Sequence, residues 1–367
     1  MPSIREHSWF RLMETSMTVL IADIDLLGFT AMCPTDCEIR TYKGRHIPRN
    51  LLEGADALFV RSSTRIETSE LPDSIKFIGT ATIGTDHLPL TELSNIGVHV
   101  VSAPGCNADA VVDYVLWHIM TWSQLTQRTF RSLTLGVVGI GQIGSRLISC
   151  AQSLGMRTLQ SDIPRYEQGG FAEHCDIKEV ISKSDIVSIH VPFVAEGCYA
   201  TLKLIDYNWL TSMKSKSLLI NTSRGRVLCE HSFLKAKLPH VVLDVFPDEP
   251  FISDALIDRT WHITPHIAGH SAEGKLKGTE MILAAYCRYA GKQLKTFDRE
   301  RLLFKVAGAS PVNADFIEQL LEVGNFDQVD KKMRDAICAN PDRVAAFDLI
   351  RRQYRLRREA FRSPTAL

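Results

Sequence analysis

Three polar residues stand just beyond three apolar, strand-like runs: Arg224 after Ser217–Ile220, Glu249 after His240–Val245, and His266 after Trp261–Thr264. These residue types, at successive strand ends, suit the removal of a hydride from a carbon that bears a hydroxyl group. A histidine titrates near neutrality, so it can take the hydroxyl proton as hydride leaves the same carbon. A glutamate bonded to the other imidazole nitrogen fixes the tautomer and favours the imidazolium that forms. An arginine grips a carboxylate with its guanidinium fork, which a lysine cannot match, and polarises the carbonyl being formed. Taken singly, each has a plain alternative: Arg224 a surface ion pair, Glu249 a turn residue beside Pro250, His266 a loop histidine. Taken together they suit hydride transfer from a 2-hydroxy acid, with Asp244 accepting from a nicotinamide carboxamide.

Such chemistry needs a hydride acceptor, and the sequence offers a place for one. Leu133 to Val138 reads as a buried parallel strand, and Gly139, Gly141 and Gly144 follow it as G-x-G-x-x-G, with Gln142 and Ile143 between. The first glycine allows a tight turn, the second lets backbone approach a pyrophosphate, and the third lets helix pack closely on strand. From Ile143 to Leu154 the spacing is helical until Gly155 ends it, so the helix N-terminus offers N–H groups to an anion. A second strand, Arg157 to Ser161, ends at Asp162, about 20 residues beyond the glycines, where an adenosine ribose 2′-hydroxyl needs an acceptor. A carboxylate there repels a 2′-phosphate, so the expected cofactor is NAD rather than NADP, with Arg165 close by as the one countervailing charge.

The elements that position these residues follow an alternating pattern. Between Thr18 and Val101 the runs Val19–Ile21, Ala57–Val60, Phe77–Gly79 and Val98–Val101 alternate with polar or helical pieces, which implies a small, parallel α/β sheet. Its strand-exit loops, Arg61–Thr64 and Thr80–Asp86, are where a ligand would sit in an open sheet. Asn107 reads as the N-cap of a long helix reaching about Gln127. Glu273 to Lys292 is a second amphipathic helix, and Asp315 to Leu321 a third. The run Arg351–Arg358 reads as a solvated helix face, with a phosphate or subunit contact as the rival.

At 367 residues the chain exceeds one core and implies two or three domains. Lysine plus arginine and aspartate plus glutamate both number 42, so nothing in the net charge points to a polyelectrolyte partner, and no nucleic acid is expected. Nine cysteines stand without a C-x-x-C pair or zinc spacing, so thiols are expected reduced, the location cytoplasmic and the metal content nil. No apolar run reaches the roughly 20 residues a bilayer requires. Residues 1–16 precede the first strand without a signal-peptide pattern and are expected to be dispensable.

The motifs also carry a resemblance. Val138-Gly139-Ile140-Gly141-Gln142-Ile143-Gly144, Asn221-Thr222-Ser223-Arg224-Gly225, Leu243-Asp244-Val245-Phe246 with Glu249-Pro250, and Pro265-His266-Ile267-Ala268-Gly269 resemble the NAD-dependent D-2-hydroxyacid dehydrogenase family. Val60–Thr64, Phe77–His87, Ala103–Asn107 and His266–Lys275 are similar to a branch of it whose substrate is a phosphorylated hydroxy acid. The tail from Ala346 to Glu359 resembles that branch's C-terminal dimerisation domain.

The resemblance implies an α/β fold: a doubly wound parallel-sheet dinucleotide-binding domain, a smaller discontinuous α/β substrate domain and a small C-terminal α+β dimerisation segment. The corresponding boundaries are 18–106 and 271–294 for the substrate domain and its return helix, 107–270 for the NAD domain and 295–367 for dimerisation, giving a homodimer. Arg224, Glu249 and His266 are implied as catalytic. Gly139, Gly141, Gln142, Ile143, Gly144, Asp162, Val191, Thr222, Ser223, Arg224, Asp244 and Gly269 are implied at the cofactor, and Ser62, Thr82 and His270 at the substrate. Two positions depart from the pattern. His270 replaces the usual tyrosine, where a charged imidazole would make substrate affinity pH-dependent, and Val191 replaces a hydroxyl residue. Rival readings are the same chemistry on 3-phosphoglycerate or a glyoxylate-type acid, and an NAD-sensing protein on the same fold. A phosphate-sized pocket of Arg61, Arg65, His270 or the C-terminal arginines would mark the phosphorylated substrate, with Arg355 and Arg358 reaching across a dimer.

Overall fold

The computed structural model describes residues 17–169, 173–238, 240–309 and 315–361. Residues 1–16, expected to be dispensable, lie outside the described residues. The chain divides into two units, one running to Ala103 and including Thr279–Phe297, the other comprising Pro104–Gly278 and the chain from Asp298 onward.

The first unit is built on five parallel strands: β1 (Thr18–Asp23), β2 (Cys37–Tyr42), β3 (Ala57–Val60), β4 (Phe77–Thr80) and β5 (His99–Val101), in the order β2-β1-β3-β4-β5. Strands β3 and β4 are buried at every position, which is why they read as unbroken apolar runs rather than alternating ones. The strand β2 gave no such signal. Among the described residues it is an edge strand paired only with β1, and of its six residues only Tyr42 is buried. The Tyr42 hydroxyl shares a hydrogen bond with Thr64 Oγ1 at 2.8 Å, tying that edge to the loop after β3. Because β1 lies between β2 and β3, the connections diverge at the carboxyl ends of β1 and β3, and that divergence opens a crevice there.

The second unit holds six parallel strands: β6 (Thr134–Val138), β7 (Arg157–Ser161), β8 (Ile186–Ile189), β9 (Leu218–Asn221), β10 (His240–Leu243) and β11 (His262–Ile263). Their order is β11-β10-β9-β8-β6-β7, so the chain leaves β6 for β7 on one side and returns to β8 on the other. The helix Gln142–Ser153 buries Gly144, Leu147, Ile148, Cys150 and Ala151 at spacings of three and four, the stripe that packs on the sheet. The helix Ala108–Leu125 is buried on nearly all sides, so it crosses the core as an apolar rod and places Asp109, Asp113 and His118 inside it. The helix Ala272–Ala290 carries the chain from the second unit into the first.

Where the resemblance implied an α+β mixture after residue 295, the described residues form four helices: Arg299–Ala307, Phe316–Val323, Phe326–Ala339 and Arg343–Gln353. The only β feature among them is an isolated parallel bridge between Ser271 and Arg357. The reason is periodicity: Phe326, Met333 and Ile337 fall on one helical face and are buried in the second unit's core.

Candidate active site

The carboxyl ends of β6 to β11 gather the expected residues along one edge of the second sheet. After β6, Gly139 takes φ +91°, and a Cβ there would stand 2.7 Å from the His190 carbonyl, on the loop after β8. At Gly144 a Cβ would lie 2.1 Å from the Gly139 oxygen, so both positions tolerate only glycine. Gly141 differs, for a Cβ on it would meet nothing within 4 Å. That residue is the N-cap of Gln142–Ser153 and gives no side-chain cap, so the first-turn N–H groups at Gln142, Ile143 and Gly144 are left for an incoming anion. The open, uncapped helix start fits a dinucleotide pyrophosphate.

Asp162 closes β7 and folds back on this loop. Its Oδ2 accepts from Ile140 N–H at 2.7 Å and its Oδ1 from Arg165 N–H at 3.1 Å, and an ionised carboxylate retains further acceptor positions. Arg165 Nη1 donates to the Ile140 carbonyl, so the charge that argued against a bare ribose is engaged by the loop itself. Val191 follows His190 after β8. Burial pushes the His190 pKa down to about 3, and the neutral ring bonds Ser188 Oγ at 2.8 Å.

After β9, Asn221 Oδ1 accepts from Ser223 N–H at 3.0 Å and Ser223 Oγ at 2.8 Å, holding the turn Thr222–Arg224. The Arg224 guanidinium donates from Nη1 to the Ser223 carbonyl at 3.0 Å. A Cβ at Gly225 would fall 1.8 Å from the Phe246 carbonyl oxygen, so the Arg224 turn is packed directly against the turn that carries Glu249.

His266 Nδ1 lies 2.6 Å from Glu249 Oε1. Burial alone would raise the Glu249 pKa. The charge of His266 and its hydrogen bond, the Arg351 charge and the Phe246 N–H outweigh it, and the carboxyl is held below its ordinary value. An ionised Glu249 accepts, so Nδ1 carries a proton, and Nε2 is the ring nitrogen left to present a lone pair when it is unprotonated. His266 itself sits at φ +55°, a left-handed conformation that costs a residue with a Cβ roughly 1–2 kcal/mol. The surroundings must therefore hold it.

Asp244 does much of that holding. It is 1% exposed and accepts from Thr264 Oγ1 at 2.6 Å, Ile267 N–H at 2.7 Å and Ala268 N–H at 3.0 Å. Burial still leaves its pKa above the ordinary value, against the pull of His266 and these donors. Because the Thr264 hydroxyl donates to Asp244, the Tyr114 hydroxyl must be the donor in its 2.7 Å bond to Thr264 Oγ1. A residue of the long core helix thus braces the histidine loop.

Other positions differ from expectation. His270 is neutral: burial first, then the charges of Lys275, Arg351, His266 and Arg357, press its pKa well below the ordinary value. In the ligand-free site it offers one N–H rather than a charge. Asn107, read as an N-cap, makes no capping bond, and its Oδ1 is buried without a partner among the described residues beside Gly269, where a Cβ would stand 2.1 Å from Asn107 Nδ2. No spacing rule would have singled it out.

Only the first part of the basic run is a solvated helix face, with Arg352 exposed on it; the end of the run is not. Its helix ends at Gln353, and Arg357 and Arg358 are 6% and 4% exposed. Arg358 donates from Nε to Glu273 Oε1 at 2.5 Å and from Nη2 to Glu300 Oε2 at 3.1 Å, inside its own chain, so it cannot reach across a dimer. In the first unit, Arg61 is likewise engaged, by Asp23 at 2.9 Å and Asp25 at 2.7 Å. The neighbouring Ser62 and Arg65 are exposed, and Thr82 is half-buried and donates to the Gly84 carbonyl at 2.7 Å. Among the described residues no cluster of His, Cys, Asp or Glu could hold a metal ion, and no helix is long and apolar enough to cross a membrane.

Residues 112–268 match the D-isomer specific 2-hydroxyacid dehydrogenase, NAD binding domain. The chain is 38% identical over 337 residues to an erythronate-4-phosphate dehydrogenase of Marinobacter nauticus, covering 88% of each. It is 35% identical to one of Pseudomonas fluorescens, covering 93% of each. Among solved structures, D-lactate dehydrogenase of Aquifex aeolicus, complexed with NAD and lactic acid, superposes with a TM-score of 0.60 at 23% identity, over 75% of this chain and 96% of that one. The likeness to that structure is one of fold.

Proposed function

The chain belongs to the erythronate-4-phosphate dehydrogenases, within the D-isomer-specific 2-hydroxyacid dehydrogenase family, and from that membership we propose that it oxidises 4-phospho-D-erythronate to 2-oxo-3-hydroxy-4-phosphobutanoate with NAD, a step in pyridoxal 5′-phosphate synthesis. The observation that carries the chemistry is the 2.6 Å contact between His266 Nδ1 and Glu249, which leaves Nε2 as a proton acceptor at the edge of the second sheet.

Bound at the glycine loop, NAD supplies the hydride acceptor. The N–H groups of Gln142, Ile143 and Gly144 hold the pyrophosphate and Asp162 the ribose. Gly139, Gly141, Val191, Thr222, Ser223, Arg224, Asp244 and Gly269 line the rest of that site. His266 takes the proton of the substrate's 2-hydroxyl on Nε2, and Glu249 stabilises the imidazolium through Nδ1. Arg224 binds the substrate carboxylate and polarises the new carbonyl. Ser62, Thr82 and the neutral His270 are the remaining substrate contacts. We assign the protein to the cytoplasm, in keeping with its free cysteines, and to a homodimer formed through the C-terminal helices, which expose Phe304, Leu321, Val344 and Leu349.

The test is to follow reduced nicotinamide absorbance with 4-phospho-D-erythronate, D-3-phosphoglycerate and D-lactate in parallel, together with a 2-oxo-acid-coupled format that draws off bound product. Activity confined to phosphoerythronate is the expected result. Preference for either other acid overturns the substrate and keeps the roles of Arg224, Glu249 and His266.

A further inference from the structure

We propose that Arg357 is a positioning residue for this reaction, fixing the peptide units that follow His266 and thereby the place of its imidazole; the inference rests on the role of His266 proposed above. The Arg357 guanidinium donates from Nη1 to the carbonyls of His270 at 2.9 Å and Ile267 at 3.3 Å. From Nη2 it donates to those of Ala268 at 2.6 Å and Ala110 at 2.7 Å. Three of these four carbonyls belong to the histidine loop, and the fourth belongs to the long core helix. The guanidinium lies over the Phe326 ring, 5.1 Å from its centroid.

Asp244 holds the other side of the same loop. The peptide unit joining Ile267 to Ala268 has its N–H on Asp244 Oδ2 at 3.0 Å and its carbonyl on Arg357 Nη1 at 3.3 Å. A carboxyl group accepting at the N–H end and a guanidinium donating at the carbonyl end align that peptide dipole, one residue beyond His266 and its φ of +55°. The planar fork serves four carbonyls from two fixed nitrogens, and lysine, with three donors on a single nitrogen at the end of a flexible stem, cannot reproduce the set.

The segment around Arg357 has separate fastenings. Asp113 accepts from Ala360 and Phe361 N–H, both at 2.8 Å, and Glu359 Oε1 accepts from Ser271 Oγ at 2.5 Å. Arg358 bonds Glu273, and Ala272 N–H bonds the Arg357 carbonyl at 2.9 Å. With those contacts in place, altering the Arg357 side chain loosens the histidine loop while the segment stays docked.

The experiment compares the parent protein, Arg357→Lys and Arg357→Gln by steady-state kinetics, NAD titration and the proton NMR signal of the His266 imidazole N–H, assigned by its loss in His266→Gln. The expected result is a kcat lowered about 10- to 100-fold, as misplacement of a catalytic group by an ångström would give. NAD affinity should stay within about twofold, while the imidazole resonance shifts or broadens. Either variant serves where the other fails to fold, since glutamine keeps one amide donor and part of the stem. A folded variant with the parent's kcat and an unmoved resonance overturns the proposal, whatever its melting temperature. A parent inactive on all three acids overturns the proposed function, and the resonance still decides whether Arg357 sets the imidazole.

Discussion

The loop Gly139–Gly144 and the loop Thr264–Ser271 both leave carboxyl ends of strands in the same sheet, but they are held in shape by different means. The glycine loop is shaped from within. The absence of side chains at Gly139 and Gly144 lets its backbone close on itself and on the His190 carbonyl, and its own helix supplies the donors. The histidine loop is shaped from outside, by Asp244 just after β10, Tyr114 from the core helix through Thr264, and Arg357 from the segment after the last helix. A loop that must only admit a ligand can be specified by what is missing. One that must hold an imidazole in an unfavourable backbone conformation needs partners drawn from several elements.

The difference predicts distinct failures. His266→Ala should lower kcat roughly 10²- to 10⁴-fold, the span general acid–base catalysis supplies, with NAD binding retained. Parallel turnover assays and NAD titrations check it, and a matching loss of NAD affinity would mean that the two loops are not separable. Gly144→Ala should do the reverse. Its Cβ would come within 2.1 Å of the Gly139 oxygen, so NAD affinity should fall at least about tenfold, with a lower melting temperature and kcat at saturating NAD largely kept.

A smaller effect lies in the segment behind the histidine loop. Burial raises Glu359 to about 8 and Asp113 to about 7, both above their ordinary carboxylate values. A folded state that keeps protons the unfolded chain has released loses stability as pH rises between those values, by about 1.4 kcal/mol per pH unit for each such group. The melting temperature should therefore fall from about pH 4.5, where the unfolded chain releases these protons, to about pH 7 for the Asp113 share and about pH 8 for the Glu359 share, and Glu359→Gln should remove the second share alone. Scanning calorimetry across the range is the check, and an equal slope in the variant would show that Glu359 is ionised when folded.

How legible each region was in the sequence follows the same division. Strands buried on both faces, such as β3 and β9, announced themselves as apolar runs, and the glycine loop and Asp162 announced themselves by spacing. The edge strand β2 stayed hidden because five of its six residues are not buried, so no apolar pattern marks it. Arg224, Glu249 and His266 were visible as chemical types at strand ends. That Glu249 reaches Nδ1 of His266 from 17 residues away is a fact of packing. The burial of Arg357 and Arg358 at the end of the charged run was hidden for the same reason, because composition reports a charge without reporting what surrounds it. Arg357 spends its donors on carbonyls almost 90 residues away in sequence.

By itself, then, the amino-acid order determined what depends on neighbours in the chain: the buried strands, the turn that needs glycine, the helix that begins there and the inventory of groups able to move a proton. Tertiary structure alone decided which carboxylate meets which imidazole, that His270 stays neutral, and that two arginines of a basic run are interior braces. Those outcomes depend on desolvation and on hydrogen-bond partners brought together from distant segments, and neither quantity exists until the chain has folded.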